Sequence, residues 1–208
     1  MIRKLPLFIV LCAVFFIPQG ANATKPEDLL YDHLQTMTYK YGLLAKVHEA
    51  LTSANNRMIR AMAATYLGRY GTYESVPLLI NALSDESTYI DMNSKNRGLG
   101  TTRHRAYLAL KELTGEDFGF QWNSPIEERN VAIKKYKAWL KERDKIIELV
   151  RAYLKENNMD KYSIYRMHFI NKEKTKWGAA LTQDPPMFGA PVLTIDRQTH
   201  EINMIMGR

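Results

Sequence analysis

From Pro26 to Leu51 the apolar positions fall at Leu30, Leu34, Met37, Tyr41, Leu44, Val47 and Leu51. Steps of three and four put them on one face of a helix. Arg57 to Tyr70 predicts a second helix, rich in Ala61, Ala63 and Ala64, which permit close approach. Gly71 ends it. A third helix is expected from about Ser75 to Leu83, with Pro77 in its first turn and Val76, Leu79, Ile80 and Leu83 facing inward. The stretch 84–101 is polar and glycine-containing, and it predicts a loop over one edge of the helices. A fourth helix spans Thr102 to Leu113 and stops at Gly115.

"LTGEDFGFQWNSPIEER", from Leu113 to Arg129, lies between a helix stop and a helix start. Ser124, Pro125 and Glu127 suit an N-cap, a first helical position and the acid of a capping box. Phe118, Phe120 and Trp122 alternate, so an extended chain would present them as a row of rings on one side. Glu116 and Asp117 are adjacent and face apart in such a chain. No regular acidic spacing supplies the roughly six to eight oxygens that calcium requires. The helix from Pro125 reads as two amphipathic parts, with a break expected near Glu142, Arg143 and Asp144.

After Asn157 and Asn158 the period shortens to two. "YSIYRMHFI", "KWGAALT", "VLTID" and "EINMIM" predict four strands joined by turns. One helix and a four-stranded antiparallel meander form a small α+β unit, with the helix able to cover one sheet face.

The N-terminus changes the picture. Arg3 and Lys4 precede an apolar run from Leu5 to Ile17, and Ala21-Asn22-Ala23 closes the segment. This is the pattern of a secretory signal with cleavage expected after Ala23. The run is about 13 residues, short of the roughly 20 that span a bilayer. Cys12, the one cysteine, leaves with the signal, so no disulfide or thiolate is expected in what remains. The product is expected to be secreted or periplasmic, with no stable membrane insertion after cleavage.

The chain carries 29 basic and 22 acidic residues, a formal charge of +7, and two of the basic residues lie in the signal. The remaining excess is spread along the chain, unlike the clustered stripe that nucleic acid requires. None of His33, His48, His104, His168 and His200 stands in a metal-binding spacing. His200 would have to serve as base with Asp196 as its orienter in any hydrolase reading, and no serine sits in a nucleophile elbow. No cofactor and no catalytic or metal site is expected. Methionines such as Met204 and Met206 suit a sheet core, with a thioether metal site as the alternative.

Two resemblances add to this. Ile59, Arg60, Ala63, Leu67, Gly68, Gly71, Val76, Pro77, Leu79, Ile80 and Leu83 match the pattern of short bacterial HEAT-like repeats. A weaker second copy starts at Thr102, where Arg103, Ala106 and Leu110 align with Arg60, Ala63 and Leu67. The offset of 43 residues lies within the roughly 40–47 of HEAT and armadillo units, although Lys111 stands where the pattern has glycine. The run Leu113, Thr114, Gly115, Asp117, Phe118 and Gly119, with Glu128, Arg129 and Trp139, also resembles a connector in such proteins. The 143–208 segment resembles small cystatin-like and PepSY-like domains of secreted bacterial proteins. There Ile195, Asp196, Thr199 and Glu201 match the hairpin, and His200 replaces a glycine. Members of these groups bind proteins or inhibit enzymes more often than they catalyse.

The expected organisation is a signal at 1–23, a HEAT-like helical array at 24–142 and a small α+β domain at 143–208. The fold class is mainly α, a short helical array followed by a helix plus a four-stranded antiparallel sheet. The expected function is non-catalytic protein binding or scaffolding. Contacts are assigned to the insert with Tyr89, to Phe118, Phe120 and Trp122, and to a groove on the uncovered sheet face lined by Tyr165, Trp177, Met187 and Phe188. An immunity or inhibitor protein acting through the sheet is the alternative, and a small hydrolase a weaker one.

Overall fold

Residues 43–90, 99–183 and 191–205 are described by the computed structural model. The signal expected at 1–23, and the address read from it, lie outside them. The chain divides into Met1–Lys46 and Val47–Arg208. Every strand belongs to the second unit, as do all the helices except the start of the first.

Five helices and a four-stranded antiparallel sheet make up the described residues, together with a two-stranded ribbon. The helices are α1 (Leu43–Ser53), α2 (Arg57–Tyr70), α3 (Ser75–Ala82), α4 (Thr102–Thr114) and α5 (Ile126–Glu156). Asn56 starts α2 by accepting the N–H of Met58, and Thr101 starts α4 by accepting that of His104. Helices α2 and α4 lie against each other. Ala61, Ala63, Ala64 and Leu67 on one side, and Ala106, Ala109 and Leu110 on the other, are buried. A Cβ on Gly68 would stand 2.8 Å from the Ala109 Cα, so the contact is backbone to backbone. Small residues at this seam let the axes close in.

The insert is not a plain loop. Thr88–Ile90 (β1) pairs antiparallel with Leu99–Thr101 (β2), closing its base as a ribbon. Residues 91–98 lie outside the described ones.

The break expected in α5 is absent. The helix runs unbroken for 31 residues, because Arg143 occupies a position on the buried face. Its side chain is 3% exposed. The guanidinium donates to the Tyr73 carbonyl at 2.8 Å and to Asp144 at 2.7 Å. A satisfied cation therefore fills the gap between Trp139 and Ile146 that reads as polar in the sequence. Two apolar residues of its first half, Ile126 and Val131, are exposed. The capping box does not form either. Pro125 is the N-cap, with extended backbone (φ −51°, ψ 152°), and no side chain caps the helix.

The sheet is a meander of β3 (Tyr162–Phe169), β4 (Lys176–Gln183), β5 (Val192–Asp196) and β6 (Ile202–Ile205). One face carries Met167, Trp177, Ala179, Leu181, Leu193 and Ile195, all buried. Trp139 of α5 meets Trp177 there, with ring centres 5.6 Å apart. A bulge between Ile164 and Arg166 shifts the register of β3. The sheet is tied to the helices through the backbone. The Tyr73 N–H donates to the Tyr165 carbonyl at 3.0 Å, and Arg166 donates to the Arg69 carbonyl at 2.6 Å. Arg197, in the β5–β6 turn, meets Glu142 of α5 in two bonds of 2.5 and 2.7 Å. Helix and sheet thus share one core.

Candidate functional site

The segment between α4 and α5 is held at both ends and in the middle. Gly115 takes a left-handed conformation (φ 73°), and its N–H closes the helix on the Lys111 carbonyl at 2.9 Å. Gly119 is also left-handed (φ 74°). That second reversal destroys the extended geometry that would align the three rings. Phe120 turns into the core beside Tyr107 and is 2% exposed. Phe118 is half-buried, edge-on to Tyr136 at 4.7 Å. Trp122 is half-buried and stacks on His104 at 5.5 Å. Its carbonyl accepts from Arg103 at 2.7 Å.

The two acids do face apart, and each has work in the fold. Asp117 accepts from Lys111 at 2.7 Å, from the Tyr107 hydroxyl at 3.0 Å and from the Gly119 N–H at 2.9 Å. These bonds hold its carboxyl below the usual range, Lys111 most strongly. Glu116 is buried and paired with Lys174 of the β3–β4 turn. Its carbonyl accepts from Tyr136, whose phenol is pushed up, chiefly by burial.

Beside Trp122 lies a cluster that sequence reasoning missed. Arg103 and Arg129, with side chains 10% and 8% exposed, both pair with Glu86, which is 57% exposed. Arg129 also donates to the Ser124 carbonyl at 3.1 Å. One residue earlier, Asp85 takes Arg60 at 2.8 Å. Burial pushes the Asp85 carboxyl up, but bonds from Arg60 and Ser87 outweigh it and leave it lowered. Arg60 and Arg103 align at the 43-residue offset in the sequence. That match is the available signal, and by itself it points to a repeat rather than to an ion-pair cluster.

The residues assigned to contact are scattered rather than gathered. Tyr89 lies in β1, paired with Gly100 through the backbone. Phe120 and Trp177 are corrected to core positions. Trp177 is wholly enclosed, between Trp139 and Phe169, because its register on β4 points it toward α5. Tyr165 is half-buried at the bulge, with the Arg166 guanidinium 5.4 Å from its ring centre. Met187 and Phe188 lie outside the described residues. With Trp177 on the covered face, the expected groove does not assemble from the described ones. Phe118 and Trp122 remain as half-exposed rings on a fixed segment.

Neither Asp196 with His200 nor His48 with Ser75 has catalytic geometry. Oδ1 of Asp196 accepts the N–H groups of Gln198 and Thr199 at 2.9 Å each, so that oxygen closes the turn. His200 adopts a left-handed φ of 60°. His48 contacts Ser75 at 2.8 Å, but Ser75 is fully buried and also caps the Thr72 N–H at 3.2 Å. No group of three potential metal ligands occurs among the described residues. None of their helices is long and apolar enough to cross a membrane.

No family model matches the chain, and neither a curated protein nor a solved structure shows significant similarity to it.

Proposed function

We propose that this chain is a secreted or periplasmic, non-catalytic protein that binds another protein through the edge formed by Trp122, Glu86 and the β1–β2 ribbon. The observation that carries the reading is the setting of Trp122. A large amphipathic ring is half-exposed, yet fixed by stacking on His104 and by the Arg103 bond to its carbonyl. Rigid aromatic residues beside arginine are the common anchors of protein interfaces, since they bury much area with little loss of side-chain freedom. The resemblance to HEAT-like repeats supports the same class, as do the α2–α4 contact and the matched pair Arg60 and Arg103.

The test is capture from the cell envelope with three baits. One is the native protein, one carries Trp122→Ala, and one has residues 91–98 replaced by an Asn-Gly turn. A partner retained by the native bait and lost from Trp122→Ala supports the reading, provided that variant melts within a few degrees of the parent. The same proteins retained by all three baits would sink it.

A second reading, an inhibitor acting through the sheet, is favoured by β6. This strand pairs only with β5 among the described residues, and Met204 and Ile205 are 45% and 56% exposed. An apolar edge strand can accept an extended segment of another chain.

A further inference from the structure

In the middle of α5, from Lys134 to Arg151, the acids are claimed and four of the lysines are not. Glu142 is held by Arg197, Asp144 by Arg143, and Glu148 by Arg151 at 3.0 Å. Lys134, Lys137, Lys141 and Lys145 are all exposed, and none makes an ion pair among the described residues. Steps of three, four and four set them in one strip on the side away from the buried Trp139, Arg143 and Ile146. Lys137, Lys141 and Lys145 repeat at the spacing where like charges disfavour a helix and where a glutamate would have relieved them. Acids are within reach, yet the fold gives each of them to an arginine.

We propose that this lysine row docks an extended acidic segment of a partner protein. The row lies on an open face of α5, with Leu140, Asp144 and Glu148 beside it. Lysines four residues apart advance about 6 Å along the helix axis. Alternate residues of an extended chain are about 6.7 Å apart. A segment with carboxylates at every second position therefore meets successive lysines, with half-buried Leu140 as an apolar floor. Asp144 and Glu148 beside the row oppose a flat anionic membrane or a duplex backbone, which would press phosphates against them, whereas an extended segment can set its uncharged alternate residues there. Only the class of partner rests on the protein-binding reading above. The lysine row is separate from Trp122, so the two can fail independently.

The probe is a fluorescein-labelled octapeptide of alternating aspartate and serine, followed by anisotropy at low and moderate salt. Binding to the native protein should weaken at least tenfold in K137E/K141E/K145E, and less strongly in K137Q/K141Q/K145Q, which removes charge without reversing it. Circular dichroism checks that each variant folds. The matched reversal K155E/K161E/K172E changes net charge equally at exposed sites elsewhere, and it should lose no more than about threefold. An equal loss in that control would reduce the effect to bulk charge and overturn the proposal. So would failure to bind the peptide, whether or not vesicles with 30 mol% anionic phospholipid or duplex DNA bind through the same lysines. Failure of the peptide to bind, with Trp122-dependent capture intact, would overturn this inference alone.

Discussion

Arg60 of α2 and Arg103 of α4 grip neighbouring acids, Asp85 and Glu86. The acids sit directly after α3, so both helices are latched to one short segment. Arg129, from the start of α5, joins the same latch through Glu86. Three helices thereby converge on two consecutive residues.

Removing Glu86 should be costly although the residue is itself largely exposed. Glu86→Ala leaves two enclosed guanidiniums without their carboxylate. Hydrogen bonds to charged groups are worth about 1.5–3 kcal/mol each. Solvent reaches Glu86, so the expected loss is discounted to about 2 kcal/mol in total. Urea denaturation measures it, and a loss below about 0.5 kcal/mol would show that the latch is ornamental.

Phe120 and Trp122 should part company in stability. Phe120→Ala empties a core site, for which a loss of about 3–5 kcal/mol is usual. Trp122→Ala removes a half-exposed ring, and its cost is expected near 1 kcal/mol. Equal losses in thermal melts would mean that Trp122 is structural, which would weaken its claim as an anchor.

Acid should weaken the fold before any ordinary carboxylate titrates. His48, His104 and His168 are all held below the usual imidazole value, by burial first. Arg105 and Arg166 add to the lowering at His104 and His168, while Glu74 opposes it at His48. A group that binds its proton less readily when folded leaves the unfolded chain with more protons, so stability rises with pH in that range. This stability is fully present above the unfolded value of about 6.5. It is lost as pH falls through that value toward the folded ones. The melting temperature should therefore drop by several degrees between pH 7.5 and 5.5, and His168→Gln should flatten part of the drop. A melting temperature that is flat or rises toward acid would contradict the assignment.

His200→Gly should stabilise the protein. A side chain at positive φ costs roughly 1–2 kcal/mol that glycine avoids, while glycine adds freedom to the unfolded chain. A gain of up to about 1 kcal/mol is expected by denaturant titration. A loss would mean that the His200 ring makes a contact that outweighs the strain.

Much of the fold could be read in the sequence, and the misreadings share a cause. Helices α2, α3 and α4 and the four strands were legible because their apolar positions repeat cleanly and their ends carry Asn56, Thr101 or Gly115. The continuity of α5 was hidden because Arg143 is a cation at an apolar position, and pattern reading assigns charge to solvent. The row of rings failed at Gly119, whose left-handed turn no alternation rule contains. Trp177 was assigned to the wrong face because alternation shows which residues share a face, not which face the helix covers. The Glu86 cluster joins residues 43 positions apart, and only the matched arginines hinted at it.

One helix carries both ends of this arrangement. Arg129 reaches Glu86, and Glu142 reaches Arg197, about 20 Å further along the same axis. An α-helix turns about 100° per residue, so its length also sets rotation. A single residue inserted between Tyr136 and Trp139 would swing everything beyond it by more than a quarter turn. Trp139 would leave Trp177, and Glu142 would leave Arg197. What must be preserved in this span is therefore its phase, the count of residues between two anchors. Any one exposed side chain along it can change, but the number of residues cannot.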